Sequence, residues 1–133
     1  MSSAAEKGER AVRLKHDGLN CAQAVLCAFA EESGLSQETL KRLGAGFGVG
    51  MGCMEATCGA LIAAEMLMGL QAYRGAPVLK TARALYGAFE EACGATLCKD
   101  LKGRDTGRIV CECDDCVRRA AALAHSFYGS AAE

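Results

Sequence analysis

The stretch Asn20-Cys21-Ala22-Gln23-Ala24-Val25-Leu26-Cys27-Ala28-Phe29-Ala30-Glu31-Glu32-Ser33-Gly34 decides the fold class. Asn20 is a favoured N-cap residue, and Gln23 stands three positions on, where its side chain can reach back to the cap N–H. From Cys21 to Ala30 the only polar side chain is Gln23. The segment is therefore predicted as a helix, Cys21 to Ser33, buried on most sides and closed by Gly34. A strand's two-residue alternation is missing from it.

The same pattern extends outward. Ala5 to Lys15 predicts a charged first helix that ends near Asp17-Gly18. Ser36 caps a short helix through Leu43, and Thr57 or a neighbour starts another, from Cys58 to about Tyr73. Pro77 suits the first position of a helix that runs to Cys93 and stops at Gly94. Its apolar stripe is Val78, Ala82, Leu85, Tyr86 and Phe89. A polar loop, Lys99 to Arg108, precedes a last helix with Val117, Ala120, Ala121, Ala124, Phe127 and Tyr128 at helical spacing. The expectation is an all-α fold: one compact bundle of about five to six helices with a glycine-rich loop. Residues 1–133 are read as a single helical, cysteine-rich domain whose first and last few residues fray.

Composition narrows the function. The formal net charge is −1, with no basic stripe, no Trp and 5% aromatic residues, which argues against nucleic acid as a partner. Met1 to Arg10 holds no apolar run, so no secretory signal is expected. The longest apolar stretch, Cys58 to Leu70 with Glu65 inside it, is too short to cross a bilayer. The expected setting is the cytoplasm, with no membrane contact. A small apolar helical protein of this kind is compatible with a homodimer.

Nine cysteines in 133 residues need a chemical reason. In a reducing compartment that reason is metal binding or redox work rather than a disulfide framework, and an odd number cannot all pair within one chain. Cys21, Cys58 and Cys113 are each predicted in or just before the first turn of a helix, where free N–H groups and the helix dipole favour a thiolate. Cys98 is read as lying in a loop after a helix, free to turn toward a shared site. Cys27 and Cys93 continue apolar stripes and are expected in the core. Cys53 is read as a resolving thiol or a bystander. Cys111, Cys113 and Cys116 form a C-x-C-x-x-C group that suits half a zinc site or one redox pair.

Gly44, Gly46, Gly48, Gly50 and Gly52 alternate without G-x-G-x-x-G or Gly-Lys-Ser/Thr, so close backbone packing is expected there rather than phosphate binding. Glu65 is the only charge in its apolar helix and is expected to face solvent or form an ion pair, with a proton-relay role as the alternative. His16 and His125 stand near helix ends, where capping or exposure is the default.

Taken together, these residues resemble the redox-active protein family named for its C_GCAxxG_C_C cysteine pattern. The resemblance rests on Gly18-Leu19-Asn20-Cys21-Ala22-Gln23-Ala24-Val25, the Ala45-Gly46-Phe47-Gly48 segment, Cys58-Gly59-Ala60, Leu97-Cys98-Lys99-Asp100-Leu101, and Cys113-x-x-Cys116-Val117. It covers about residues 18–128. By position the family's four cysteines fall on Cys21, Cys58, Cys98 and Cys113. The chain departs from the pattern at Ala63, where the family carries glycine, and at Cys116, where relatives more often carry an aromatic residue; Cys116 is thus the substitute fourth ligand.

The family is similar to the cysteine-bearing part of split-Soret cytochromes, for which a four-cysteine iron–sulfur site has been proposed. The resemblance implies a small redox protein that holds an iron–sulfur cluster through Cys21, Cys58, Cys98 and Cys113 and passes electrons to a partner protein. Two alternatives stand beside it. One is a thiol–disulfide protein with Cys58 or Cys21 as the low-pKa thiol and no cofactor. The other is a zinc module built on Cys111, Cys113 and Cys116 with a distant cysteine.

Overall fold

The structure, a computed structural model, describes residues 3–130, with the backbone alone at 129 and 130. Eight α-helices follow one another, with no strand among the described residues: α1 Ala4–His16, α2 Cys21–Cys27, α3 Ala30–Ser33, α4 Gln37–Gly44, α5 Gly59–Ala72, α6 Leu79–Cys93, α7 Cys98–Lys102 and α8 Cys113–Ser130. Between α4 and α5 the glycine-rich segment forms a 3₁₀ turn, Ala45–Phe47, and a π-type turn, Gly50–Met54. The fold is all-α, as the periodicity predicts. No helix among the described residues is long and apolar enough to cross a membrane.

The caps fall where the sequence puts them. Asn20 Oδ1 accepts from Gln23 N at 2.8 Å while Gln23 Oε1 accepts from Asn20 N at 3.0 Å, a reciprocal capping box. Ser36 caps α4 through Thr39 N. Gly34 and Gly94 end α3 and α6 at φ 74° and 90°, left-handed conformations that glycine adopts without a Cβ penalty. Pro77, expected at the first helical position, instead precedes the N-cap Val78, and α6 begins at Leu79. In the stripe of α6, Leu85 and Phe89 are fully buried, whereas Tyr86 is partly exposed and its hydroxyl bonds Thr96 Oγ1 at 2.7 Å.

α8 is the packing axis. It lies against α1, α2, α5 and α6, while α2 fills the space between α4 and α5. Val117, Ala120, Ala121 and Ala124 of α8 are buried, and their small side chains let α1 and α5 approach closely. Every residue of α2 except Gln23 is buried, matching the single polar position in the opening stretch. Ala63 is fully buried in α5.

The helix predicted from Cys21 to Ser33 is two helices. Phe29 leaves helical geometry (φ −112°, ψ 23°) and its N–H bonds to Leu26 O, three residues back. The cause is Lys7, which is 4% exposed. Its ammonium donates to Ala28 O at 2.9 Å and pairs with Glu32 at 2.6 Å, so the Ala28 carbonyl serves a side chain in place of the helix ladder. The same ammonium lies 4.9 Å above the Phe29 ring, which stacks on Tyr128.

Glu65 also departs from expectation. It is half-buried in α5 rather than solvent-facing, its Oε1 has no hydrogen-bond partner, and burial pushes its carboxyl up to about 7.

Two outcomes follow. Lys7→Met is expected to cost about 1.5–3 kcal/mol in urea unfolding, because it strips a charged donor from a buried carbonyl. Arg42→Ala, which breaks the exposed Arg42–Glu38 pair, is expected to cost less than about 0.5 kcal/mol; equal costs would refute this account of the helix break. For Glu65, a raised folded pKa favours the fold below the ordinary value of 4.5 and loses that advantage as pH rises through about 7. The stability of Glu65→Gln relative to the unmodified chain should therefore rise between pH 5 and pH 8, and a flat difference would show the carboxyl to be well solvated.

Candidate functional site

Four helices begin at one place. Cys21, Cys98 and Cys113 are the first residues of α2, α7 and α8, and Cys58 is the N-cap of α5. Cys98 was expected in a loop; it instead opens a short helix within the segment read as polar loop, so all four cysteines stand at helix starts. Backbone pairing brings two of them together. Cys58 N–H donates to Thr96 O at 2.8 Å and Cys98 N–H to Ala56 O at 3.0 Å, around an antiparallel bridge between Thr57 and Leu97.

The other two arrive by different ties. The N–H groups of Val110 and Cys111 both donate to Leu101 O, at 2.9 and 3.2 Å, which lays the C-x-C-x-x-C group over α7. Lys15 and His16 grip the Asp114 carboxylate at 2.9 and 2.7 Å, fixing the start of α8 to the end of α1 and so beside Cys21. Asn20 Nδ2 donates to Gly44 O and Ala45 O, which holds the glycine-rich segment against the start of α2. As a result Cys21, Cys58, Cys98, Cys111, Cys113 and Cys116 line one pocket, around a cavity of about 10 Å³, space for one water-sized body.

Glycine makes this approach possible. A Cβ on Gly59 would stand 2.3 Å from Phe47 O and 2.8 Å from Cys21 Sγ; one on Gly50, at φ +55°, would stand 2.6 Å from Cys98 Cβ. Of the alternating glycines, the expectation of close packing holds at Gly44, Gly48 and Gly50, whereas a Cβ on Gly46 or Gly52 would meet nothing within 4 Å. Val49, Met51 and Met54 have φ of 54°, 61° and 65°, an uncommon conformation for side-chain-bearing residues and a strained one for β-branched Val49. That strain turns the Val49 N–H onto the Cys21 sulfur.

The thiols polarise one another. Cys113 donates to Cys21 and, with the N–H groups of Val49 and Ala22, holds the Cys21 thiol down at about 7. Cys116 does the same for Cys58, helped by the N–H groups of Ala60 and Leu61 at the start of α5, and the Cys58 thiol is lowered. The donors move the opposite way: Cys113 is raised by sharing its proton with Cys21, and Cys116 by sharing with Cys58 and Cys93. Cys98 is raised chiefly by burial. Thiolates this close cannot all ionise without a cation among them.

Cys93, read as a core residue, is buried but belongs to the thiol set. The sulfurs of Cys93, Cys111 and Cys116 all lie within 4.8 Å of one another, a group that could hold a metal ion. Cys116, Cys111 and Arg119 together lower the Cys93 thiol to about 6. Cys27 is a core cysteine as expected, its Sγ 3.7 Å from Gln37 O, and Cys53 is exposed on the π-type turn. Beyond Cys93, sequence reading also missed Arg119 and Lys102. The signal for Arg119 was its place three residues after Cys116 on one face of α8.

The model of a family described as "Putative redox-active protein (C_GCAxxG_C_C)" matches residues 19–127. The chain belongs to that family. Neither the curated proteins nor the solved structures contain a significant match.

Two glycines of α5 test the close approach. Gly59→Ala should destabilise the protein by about 1–3 kcal/mol through overpacking and change the reactivity of Cys21 toward a thiol reagent. Gly69→Ala, with nothing within 4 Å of the new Cβ, should be neutral or stabilising by up to about 1 kcal/mol. Equal effects at the two positions would contradict the packing described.

Proposed function

We propose that this family member acts as a single cytoplasmic redox domain that holds an iron–sulfur cluster through Cys21, Cys58, Cys98 and Cys113. The observation that carries this reading is the convergence of four helix starts, each bearing one of these cysteines, on one pocket. The donor set fits such a group by its chemistry, and the sulfurs around the cavity of about 10 Å³ would move apart to admit it. The pocket lining offers six thiols and no carboxylate or imidazole, a soft environment that favours iron–sulfur centres, zinc or monovalent copper over hard cations. Four thiolates satisfy the ligand number of a [2Fe–2S] or a [4Fe–4S] cluster.

A bound cluster would supply a one-electron couple. The chain's own groups would set its properties. The N–H groups of Val49, Ala22, Ala60 and Leu61 already point at ligand sulfurs, and such donors raise a cluster's potential. Lys15 and Lys102 place positive charge near Cys113, offsetting the negative charge of the thiolates. Burial of Cys21, Cys58 and Cys98 to 7% exposure or less keeps water from them. Electrons would pass to a partner protein rather than to nucleic acid or a membrane, from a monomer or a homodimer.

A second reading has its own observation. Cys113 is hydrogen-bonded to Cys21, whose thiol is lowered to about 7. In thiol–disulfide exchange the Cys21 thiolate would attack a substrate disulfide, releasing one substrate thiol. The Cys113 thiolate would then form the Cys21–Cys113 disulfide and release the second thiol, leaving the substrate reduced.

Protein purified without oxygen separates the two. The cluster reading expects iron and acid-labile sulfide in roughly equal amounts, both lost in Cys98→Ser with the helical circular dichroism retained. Full iron in Cys98→Ser would overturn the ligand assignment. Absence of iron after reconstitution, with a Cys21–Cys113 disulfide on mild oxidation, would replace the cluster with exchange chemistry.

A further inference from the structure

Five of the nine cysteines are left over by the four-cysteine reading, and three of these stand together. Cys93 ends α6, Cys111 lies in the segment before α8, and Cys116 is in the first turn of α8. Their exposures are 3%, 6% and 2%, and their sulfurs lie within 4.8 Å of one another. Around one metal with bonds of about 2.3 Å, thiolate sulfurs stand roughly 3.8–4.0 Å apart. Small side-chain rotations close that difference.

A fourth group completes the arrangement. Arg119 donates to Ala92 O, which anchors its guanidinium beside Cys93, and its Nη1 is 3.7 Å from Cys111 Sγ. Arginine keeps its charge at every working pH. Three buried thiolates, one divalent cation and this guanidinium sum to zero net charge, whereas the same thiolates without a cation would repel one another in a poorly solvated site. Only sulfur donors are offered, which selects a thiophilic ion over magnesium, calcium or manganese.

We propose that Cys93, Cys111 and Cys116 form a second site, adjoining the four-cysteine set at the pocket that Cys111 and Cys116 also line, that binds one Zn²⁺-class ion with Arg119 as its counter-charge. The two sites adjoin where Cys116 stands beside Cys58, both lining the same pocket. The second site ties the end of α6 to the start of α8, so its metal would brace the pocket from behind. The proposal does not need the other set to hold iron: any occupant of Cys21, Cys58, Cys98 and Cys113, or none, leaves these three donors in place.

The test uses Co²⁺ as a coloured stand-in for Zn²⁺, in reduced protein under argon. In a triple variant, Cys21→Ser, Cys98→Ser and Cys113→Ser, one equivalent of Co²⁺ should give thiolate-to-metal charge-transfer absorption that Zn²⁺ then abolishes by displacement. Adding Cys93→Ser should remove it. Arg119→Gln should keep the absorption but weaken binding by about 10-fold or more. A triple variant that is helical by circular dichroism yet binds no Co²⁺, or binds it equally well with Cys93→Ser, overturns the proposal. If the triple variant does not fold, Zn²⁺ stoichiometry decides in the metal-free full chain: two equivalents, falling to one in Cys93→Ser, support the second site. A single equivalent unaffected by Cys93→Ser overturns it. Iron content reports on the other set independently, so the two readings fail separately.

Discussion

The structure depends on a short backbone pairing that ties the start of one helix to the start of another. Cys58 N–H to Thr96 O and Cys98 N–H to Ala56 O are two hydrogen bonds, each worth on the order of 1 kcal/mol net. Their larger effect is geometric. They set α5 and α7 to begin side by side, and the loops then bring α8 over Leu101 and the glycine-rich segment against Asn20. Helix N-termini present unpaired N–H groups, and at the starts of α2 and α5 such groups help to lower the thiols of Cys21 and Cys58.

The concentration of thiols is also an electrostatic problem, met by division of labour. Cys21, Cys58 and Cys93 are lowered by neighbouring thiols that share protons with them, Cys113 with Cys21, Cys116 with Cys58, and Cys116 and Cys111 with Cys93, while Arg119 donates to Cys111. Without a metal, this pattern lets a few thiolates exist among neutral neighbours. A thiophilic cation would displace the shared protons and draw the remaining sulfurs into their ionised form, so metal binding and proton release are one event. Strain is confined to the same region: Val49, Met51 and Met54 are the non-glycine residues with positive φ among those described, and all lie in the turn that faces the pocket.

Much of this was legible in the chain. Asn20 with Gln23, Ser36, Gly34 and Gly94 marked helix ends because capping and left-handed φ are local properties that need no partner. The stripe of α8 was readable because its period is set by one helix alone. What escaped was decided by distant contacts. The break at Phe29 comes from Lys7, and a lysine reaching a carbonyl 21 positions away leaves no local mark. Cys98 opens a helix because the pairing with Ala56 fixes its backbone, in a stretch whose polarity reads as loop. Cys93 looked like core because its apolar surroundings are real; its neighbours Cys111 and Cys116 arrive only when α6 packs on α8. Glu65 shows the converse, a lone charge in an apolar helix that sequence assigns to solvent and packing half-buries.

The central claim is that the cysteines at four helix starts act as one metal–sulfur site. Iron K-edge X-ray absorption on protein purified without oxygen tests it most directly. The account predicts iron with a first shell of sulfur alone and a second shell of iron, lost together when Cys98 is replaced by serine. An oxygen or nitrogen first shell, or isolated iron without an iron neighbour, would contradict it.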